Sequence, residues 1–233
     1  MNITIYDIAQ KCNVSIATVS RVLNGSTRVS EKTRAKVLQV MKEMGYKPNP
    51  FARGLGLDSM KIVGVICTDV ADIFYAHAVS LLEDGLRKHH FDVMLSNTGS
   101  DTGHNGKYIS AMADKHVDAI ITIGTPFSSE SDVRQLCETA RQIPVITINS
   151  DYHQPNMYSV VCNEKEGMKM VIAALAAKNC QDILYIYDSL TYSGRHKLDG
   201  FRQGIREWRL TEQPELIQQI PRPLQDTAAL LAR

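Results

Sequence analysis

The sequence predicts two kinds of structure in one chain of 233 residues: an all-α head followed by an α/β body with parallel sheets. Two observations carry this prediction. Within residues 1–46, short stretches with apolar side chains at helical spacing are separated by serine, asparagine and glycine. From Lys61 onward, near-continuous apolar runs alternate with helical stretches, which is the pattern of a doubly wound fold.

The head (residues 1–46) is predicted to contain three short helices. The first covers residues 3–12, Ser15 is a suitable N-cap for the second, and Ser30 is one for the third, which ends at Gly45. Inward-facing positions are expected at Ile5, Ile8, Ala9, Val19, Val22, Leu23, Val37, Val40, Met41 and Met44. A core this small is marginal on its own and usually needs the support of a partner.

Residues 47–60 are predicted to be a linker. Asn49 lies between two prolines and could cap a short helix with Pro50 as its first residue. Gly54 and Gly56 make the segment poorly helical in isolation. We therefore expect a linker that becomes ordered when it binds a partner.

The body is predicted to form two lobes, residues 61–158 and residues 159–233. In the first lobe the strands KIVGVICTDV, FDVMLSNT, VDAIITIG and IPVITIN alternate with helices at Tyr75–Lys88 and near 105–115 and 130–141. The polar stretch around Asn149–Tyr158 is predicted to cross to the second lobe, which opens with the strand YSVVCN. That lobe continues with a helix at Glu164–Lys178, the strand DILYIYD, a helix at Arg195–Trp208, the strand PELIQQI and a last helix near 225–232.

The net charge of +1 conceals an uneven distribution along the chain. Residues 1–57 carry nine Lys and Arg against three Asp and Glu, a net charge of +6, whereas the remainder carries 17 against 22, a net charge of −5. A basic head on an acidic body indicates that one end of the chain meets a polyanion. A chance fluctuation on a solvated surface is the alternative.

The first two predicted helices, joined by a tight turn, form a helix-turn-helix, a unit that inserts its second helix into the major groove of DNA. That helix would expose small or polar side chains near its start, where they can approach the base edges: Ser15, Ile16, Ala17 and Arg21. Residues suited to phosphate contacts are Thr4, Tyr6, Asn24, Arg28 and Thr33. The alternative is an ordinary three-helix bundle without a ligand.

Four motifs follow one another in the head: IYDIA, VSIATVSRVLN, VSEKTR and YKPNPFARGL. Together they resemble the DNA-binding head of the lactose/galactose repressor family of bacterial transcriptional regulators. In the body, IVGVICTD, DAIITIG, IPVITIN, CNEKEG and DGFRQGI are also similar to that family, with DIFYA where the family usually has NPFFA. The resemblance therefore covers nearly the whole chain.

The resemblance implies roles for residues of the head and the linker. The exposed residues of the second helix would belong to the recognition helix, and positions 16 and 17 would vary the choice of operator. Thr18 and Tyr46 join the expected DNA-contacting residues. Asn49 to Leu57 would form a hinge helix, with Leu55 wedged between base pairs in the minor groove and Ala52 beside it. Considered alone, Leu55 is an ordinary buried linker residue.

For the body, the resemblance implies the two-lobed fold of periplasmic sugar-binding proteins, with a small molecule in the crevice at the carboxyl ends of the strands. The expected lining comprises an aromatic ring that stacks on the ligand and polar groups that fix hydroxyls: Asp69, Phe74, Tyr75, Asn149 and Lys197. The family usually has Asp at position 149 and Arg at position 197, and lysine cannot form the planar bidentate fork of arginine. An ordinary loop or core role is the alternative for each of the five.

Motifs of the common enzyme classes are missing. No G-x-G-x-x-G follows a strand, no G-x-S-x-G is present, and GHNGKY at 103–108 lacks the first glycine and the final Ser or Thr of a phosphate loop. Neither a C-x-x-C motif nor a metal-like histidine spacing occurs. We therefore expect no enzyme activity, no catalytic residues, no cofactor and no metal site.

The sequence as a whole predicts a repressor that binds pseudo-palindromic operator DNA as a homodimer and responds to a sugar or sugar derivative between its lobes. No apolar run is long enough for a membrane span and the N-terminus does not resemble a secretory signal, so we expect the cytoplasm, in association with the nucleoid. Members of the family continue past residue 233, so we expect an incomplete second lobe. Two alternatives stay open: a truncated protein that binds DNA constitutively, and a small-molecule binding module of the periplasmic type.

Overall fold

A computed structural model describes residues 3–47, 59–99, 105–125, 127 and 129–220 of the chain. The head contains helices α1 (Ile5–Cys12), α2 (Ile16–Leu23) and α3 (Glu31–Met44). The first part of the body contains β1 (Ile62–Cys67), α4 (Ile73–Lys88), β2 (Asp92–Asn97), α5 (Gly106–Asp114), β3 (Ala119–Ile123), α6 (Glu130–Ala140), β4 (Val145–Ile148) and β5 (Met157–Val160). The second part contains α7 (Glu164–Ala176), β6 (Tyr185–Tyr187), α8 (Tyr192–Glu207), a 3-10 turn at Pro214–Leu216 and β7 (Ile217–Gln219). No helix within these ranges is long and apolar enough to cross a membrane.

The second and third helices of the head begin where the sequence predicts, whereas α1 begins at Ile5, two residues after its predicted start, because Thr4 is its N-cap. The hydroxyl of Ser15 accepts a hydrogen bond from the N–H of Thr18 at 3.2 Å, and Ser30 accepts one from the N–H of Thr33 at the same distance. Each bond satisfies one of the N–H groups that have no partner inside a helix at its start. Gly45 ends α3 with φ 65°, a left-handed conformation that costs glycine little.

The core of the head forms where the three helices meet. Ile8, Val19 and Val37, one from each helix, are completely buried. All ten positions predicted to face inward belong to this cluster, which also takes in Cys12 from α1 and Val29 from the segment before α3. The cluster holds α2 by its inner side, so the opposite side of that short helix is left to solvent.

A five-stranded parallel sheet in the order β2-β1-β3-β4-β5 forms the first lobe of the body. Val65 in the middle of β1 pairs with Leu95 of β2 on one side and with Ile121 of β3 on the other. One face packs against α5 and α6 through Ile109, Met112 and Leu136, and the other packs against α4. The predicted class, an all-α head and an α/β body with parallel sheets, is confirmed.

The strand predicted to open the second lobe belongs to the first sheet instead. β5, which contains the first residues of YSVVCN, pairs with β4 in parallel, with Tyr158 opposite Ile146. Its connection to β4 holds no helix and is short for parallel neighbours. Asn149 and Asn156, with φ 59° and 60°, turn the chain within this connection. The polar residues between them led to the prediction of a crossover between the lobes. Hydrophobic patterning identifies a strand but not the sheet that it joins.

The second lobe, as far as the structure describes it, consists of α7 and α8 packed beside a two-stranded parallel sheet of β6 and β7. Two glycines of α8 allow the helices to approach closely. A Cβ atom at Gly200 would lie 2.3 Å from the carbonyl oxygen of Lys165, and one at Gly204 would lie 2.8 Å from the Cβ of Ile172. The last helix predicted near 225–232 lies outside the described residues.

Two helices of the body begin earlier than the sequence predicts. α4 begins at Ile73 instead of Tyr75 because the carboxylate of Asp72 accepts from the N–H of Phe74 at 2.9 Å. α8 begins at Tyr192 instead of Arg195, since the hydroxyl of Thr191 accepts from the N–H of Gly194 at 3.1 Å. In both cases the cap lies upstream of the first clear helical spacing.

Candidate nucleic-acid interface and ligand cavity

The solvent side of α2 carries the residues predicted to read bases. Ser15, Ile16, Ala17 and Arg21 are all exposed, and 41% of Ile16 is accessible. On the opposite side of the helix Val19 and Val22 are buried in the head core. The N-terminal turn of α2 therefore projects small, polar and apolar side chains from a helix that is fixed from behind.

The turn between α1 and α2 is tight. Asn13 has φ 52° and its N–H donates to the carbonyl of Gln10 at 3.0 Å. The N–H of Val14 donates to the carbonyl of Ala9, also at 3.0 Å. Two hydrogen bonds back onto α1 thus fix the angle at which the chain enters α2.

The residues predicted to contact phosphates differ in how available their polar groups are. Tyr6 is 66% exposed and Arg28 is exposed as well, so both can reach a ligand. Thr4 is different, since its N–H and its hydroxyl both donate to the carboxylate of Asp7, at 2.8 and 2.7 Å. These bonds lower the pKa of Asp7, the backbone bond being the larger cause.

The remaining residues predicted to contact DNA are less exposed or lie outside the described part of the chain. Thr18 and Thr33 are half-buried, with their hydroxyls 2.9 Å from those of the capping serines. Asn24 ends α2, and its Oδ1 is buried with no hydrogen-bond partner in the described ranges. Tyr46 packs partly buried against the head core. Asn49, Ala52 and Leu55 fall outside the described residues.

Of the five residues predicted to line an effector site, three follow β1. Asp69 is exposed, and its carboxylate accepts from the N–H of Ala71 at 2.9 Å. Phe74 is 49% exposed and meets the ring of Tyr75 edge to face, with centroids 5.4 Å apart. Tyr75 itself packs against the sheet, and a Cβ at Gly124 would lie only 2.6 Å from its hydroxyl.

The other two lie on different elements. Asn149 follows β4 in a left-handed conformation, and its N–H donates to the carbonyl of Val160 at 3.0 Å. Lys197 lies on α8, where its Nζ is 3.7 Å from Oε1 of Glu164. The backbone of Asn149 thus ties β4 to β5, while Lys197 pairs α8 with the start of α7.

A cavity of about 420 Å³ lies between the two lobes at the carboxyl ends of their strands. It is lined by Thr125, Phe127, Val133, Tyr152, Ser189, Leu190, Thr191 and Arg195. None of the five predicted effector residues is in this lining. The sequence signal that would have found it is position, since Thr125 and Ser189 each lie two residues after the end of a strand, where ligands of α/β folds bind.

Two tyrosines beside the cavity stay in their neutral form at ordinary pH. Burial raises the pKa of Tyr152, whose hydroxyl donates to the carbonyl of Phe127 at 3.1 Å. Burial, together with the carboxylates of Asp151 and Glu164, raises the pKa of Tyr192. Both rings can therefore offer a hydroxyl but no negative charge to a ligand.

Comparison with known proteins gives matches to both parts of the chain. Residues 4–49 match the family model for bacterial regulatory proteins of the lacI family. Residues 60–218 match the model for periplasmic binding proteins and the sugar binding domain of the LacI family. The two matched ranges together leave out the segment around the predicted hinge and the last residues.

Curated relatives match along nearly the whole chain. An HTH-type transcriptional regulator of Lachnoclostridium phytofermentans is 42% identical over 229 residues, which cover 97% of this chain and 69% of the relative. The catabolite control protein A of Priestia megaterium is 32% identical, over 89% of this chain and 62% of the relative. The chain thus spans between three-fifths and seven-tenths of the length of these relatives.

Solved structures share the fold. The lac repressor dimer bound to operator and the anti-inducer ONPF superposes with a TM-score of 0.82 at 22% identity, over 100% of this chain and 71% of that chain. The transcriptional regulator CelR in complex with cellobiose superposes with a TM-score of 0.62, also at 22% identity, over 99% of this chain and 69% of that chain.

These matches confirm the resemblance drawn from the head and body motifs, and they agree with the expectation of a regulator and not an enzyme. One family model covers the head, another covers most of the body, and a relative is 42% identical along almost the entire sequence. The chain therefore belongs to the lacI family of bacterial regulatory proteins.

Proposed function

We propose that this chain is a transcription regulator that binds operator DNA through its head and a small molecule through its body, most simply as a repressor. The observation that carries the proposal is the exposed face of α2, with Ser15, Ile16, Ala17 and Arg21 turned away from a packed head core. A helix held by its inner side and lined with small residues at its start suits the major groove.

The side chains of this face suit different parts of the DNA. Ile16 is apolar and suits the methyl group of a thymine, whereas Arg21 suits a guanine edge or a phosphate. The net charge of +6 over residues 1–57 supports attraction to the DNA backbone. In this proposal Tyr6 and Arg28 contact phosphates, and Asn49, Ala52 and Leu55 keep the hinge role that the family resemblance implies.

A pseudo-palindromic operator requires two heads, and we propose that the chain acts as a homodimer. α4 supports this, because none of its 16 residues is buried although it packs on the sheet by one side. Its outer side presents Ile73 at 87% exposure and Leu81 at 59%, two apolar residues eight positions apart on one helical face. Pairing of two copies through α4 would remove this apolar surface from water.

The cavity between the lobes is the proposed effector site. Its volume of about 420 Å³ suits a sugar-sized molecule, and its lining comes from both lobes. A ligand that contacts both lobes favours one arrangement of them and can change the spacing of the two heads. The catabolite control protein A and the cellobiose complex of CelR are relatives whose names point to carbohydrate control, and we propose a sugar or sugar derivative here. This function requires the cytoplasm, in contact with the nucleoid.

The test is selection from random double-stranded DNA, followed by binding measurements over a series of salt concentrations. We expect a short palindromic site, and we expect Arg21→Ala to weaken specific binding by about 10- to 100-fold, since one base or phosphate contact is lost. Lys178→Ala, which removes an exposed cation beyond the end of α7, is the matched control and should leave the affinity unchanged.

Selection of no preferred sequence by a folded, dimeric sample would refute the proposal. Selection of a site that no sugar or sugar derivative modulates would support the alternative of constitutive DNA binding. An equal loss for Arg21→Ala and Lys178→Ala would mean that the basic charge of the whole chain, and not α2, governs binding.

A further inference from the structure

The lining of the interlobe cavity is polar on one side and largely apolar on the other. The first lobe contributes Thr125, Phe127, Val133 and Tyr152, and the second contributes Ser189, Leu190, Thr191 and Arg195. Arg195 is the one charged side chain in the lining as the structure describes it. A permanent positive charge in an otherwise neutral lining selects among ligands by charge.

The guanidinium of Arg195 is held by the segment just before its own helix and forms no ion pair with the part of the chain that the structure describes. Its Nη1 donates to the carbonyl of Leu190 at 2.9 Å, which holds the side chain beside the start of its own helix. Ion pairs on the described part of α8 join Lys197 to Glu164, Arg202 to Glu212 and Glu207 to Lys169, and none involves Arg195. The remaining N–H groups of the guanidinium are therefore available for an incoming acceptor.

Three carboxylates around the start of α8 have partners of their own. Glu164 accepts a hydrogen bond from the hydroxyl of Ser193 and pairs with Lys197. Asp151 lies 3.4 Å from the ring of His153, and Asp188 accepts from the hydroxyl of Ser189 at 3.1 Å. Among the described residues Arg195 thus has no ion-pair partner, whereas the cation predicted from the resemblance, Lys197, is already paired.

Two further features favour an acceptor at the same place. The start of α8, a helix of 16 residues, borders the cavity at Thr191, and its first turn contains no acidic residue. The positive end of the helix dipole therefore lies at this border of the cavity, with the carboxylate of Glu164 beside it on the hydroxyl of Ser193. On the facing lobe, the hydroxyl of Thr125 is buried and has no hydrogen-bond partner among the described residues. An oxygen-rich group between the lobes would supply one.

We propose, building on the effector role of the cavity proposed above, that the ligand is an anionic sugar derivative and that Arg195, not Lys197, binds its charged group. Phosphate and carboxylate share the chemistry required, since both accept a bidentate pair of hydrogen bonds from a guanidinium. The apolar side chains of Val133 and Leu190, one from each lobe, and the hydroxyl of Tyr152 suit the sugar body. Because Arg195 and Thr125 belong to different lobes, such a ligand bridges them.

The test measures the dissociation constants of matched probes on the dimeric chain without DNA: glucose against glucose 6-phosphate, galactose against galacturonate, and inorganic phosphate alone. We expect an anionic sugar to bind at least about tenfold more tightly than its neutral parent, and Arg195→Gln to remove that advantage. Arg195→Lys keeps the positive charge but cannot form the bidentate pair of hydrogen bonds, so it should retain part of the preference for the anionic sugar. Lys197→Gln, which removes another exposed cation of the same helix, should change the affinity less than about twofold.

Several results would overturn the inference. Neutral sugars that bind as tightly as their charged partners would do so, and so would an unchanged affinity in Arg195→Gln or the binding of none of the five probes. Loss of anion binding in Arg21→Ala would show that the basic head had bound the probe. Operator binding is measured on the same samples, so a failure of this inference is distinguishable from a failure of the regulator proposal. If Arg195→Gln does not fold, Arg195→Lys distinguishes Arg195 from Lys197 as the binding group. A full preference for anionic sugars in Arg195→Lys would then count against Arg195.

Discussion

At the scale of single residues, Asp7 links the stability of the head to pH. Its carboxylate accepts two hydrogen bonds from Thr4, and these bonds lower its pKa below the ordinary value of 3.8. A group whose pKa is lower in the folded state stabilises that state above its unfolded pKa, and the contribution is lost as the pH falls through the folded value. The capping of α1 is therefore fully effective at neutral pH.

We expect Asp7→Asn to lower the melting temperature of the chain at pH 7, because the amide is a weaker acceptor than the carboxylate. The difference from the parent chain should shrink as the pH falls below about 3.8, where the parent also loses its negative charge. Thermal unfolding followed by circular dichroism between pH 3 and pH 7 measures this difference. Glu138→Gln, which neutralises an exposed carboxylate on α6, is the control. A constant difference over the whole range would contradict the account.

At the same scale, the sequence was informative about residues that act locally. Ser15, Ser30 and Gly45 were identified as caps because a cap depends on its own few neighbours. The packing of Tyr75 against Gly124 joins residues 49 positions apart, and no local sequence pattern predicts this contact. For the same reason the position of Arg195 in the cavity lining was found only from the structure. The family resemblance had predicted Lys197, two positions later, as the effector-site residue.

At the scale of elements, the packing of α7 against α8 depends on two glycines that the helical pattern does not require. Glycine in a helix interior ordinarily costs about 1 kcal/mol relative to alanine. At Gly200 the absence of a side chain is necessary, because a Cβ there would meet the backbone carbonyl of Lys165 at 2.3 Å. The close approach of the helices offsets the cost of the glycine.

We therefore expect Gly200→Ala to lower the free energy of unfolding by about 1–3 kcal/mol, the usual cost of forcing an extra group into a packed contact. Gly167→Ala on α7 is the matched control, since its Cβ would meet nothing within 4 Å, and it should raise stability by up to about 1 kcal/mol. Urea denaturation of both variants gives the comparison. Two variants that shift stability in the same direction would show that helix propensity alone governs both sites.

At the scale of the whole molecule, the order of elements was predictable and their assembly was only partly so. Alternating apolar runs and helical stretches gave the parallel α/β class, because burial on both faces leaves a recognisable pattern. The same pattern assigned β5 to the wrong lobe, since strand pairing is set by contacts distant in sequence. The cavity arises where loops of both lobes meet, so its lining depends on this assembly.

The proposed dimer is also a property of the whole molecule. Ile73 and Leu81 lie on the outer side of α4, and burying them against a second copy would remove two of the most exposed apolar side chains of the body from water. We expect the double variant Ile73→Asp/Leu81→Asp to shift the chain from dimer to monomer, because both carboxylates would be desolvated in the interface.

Sedimentation equilibrium measures this shift, and operator binding should fall with it, since a monomer engages a single half-site. Leu184→Asp, at a residue of 46% exposure outside α4, controls for the general effect of a new surface charge and should leave the dimer intact. Non-specific binding per head should stay the same in both variants, because α2 and the charge of the head are unaltered. A double variant that stays dimeric would exclude α4 as the interface while leaving the role of α2 in DNA binding untouched.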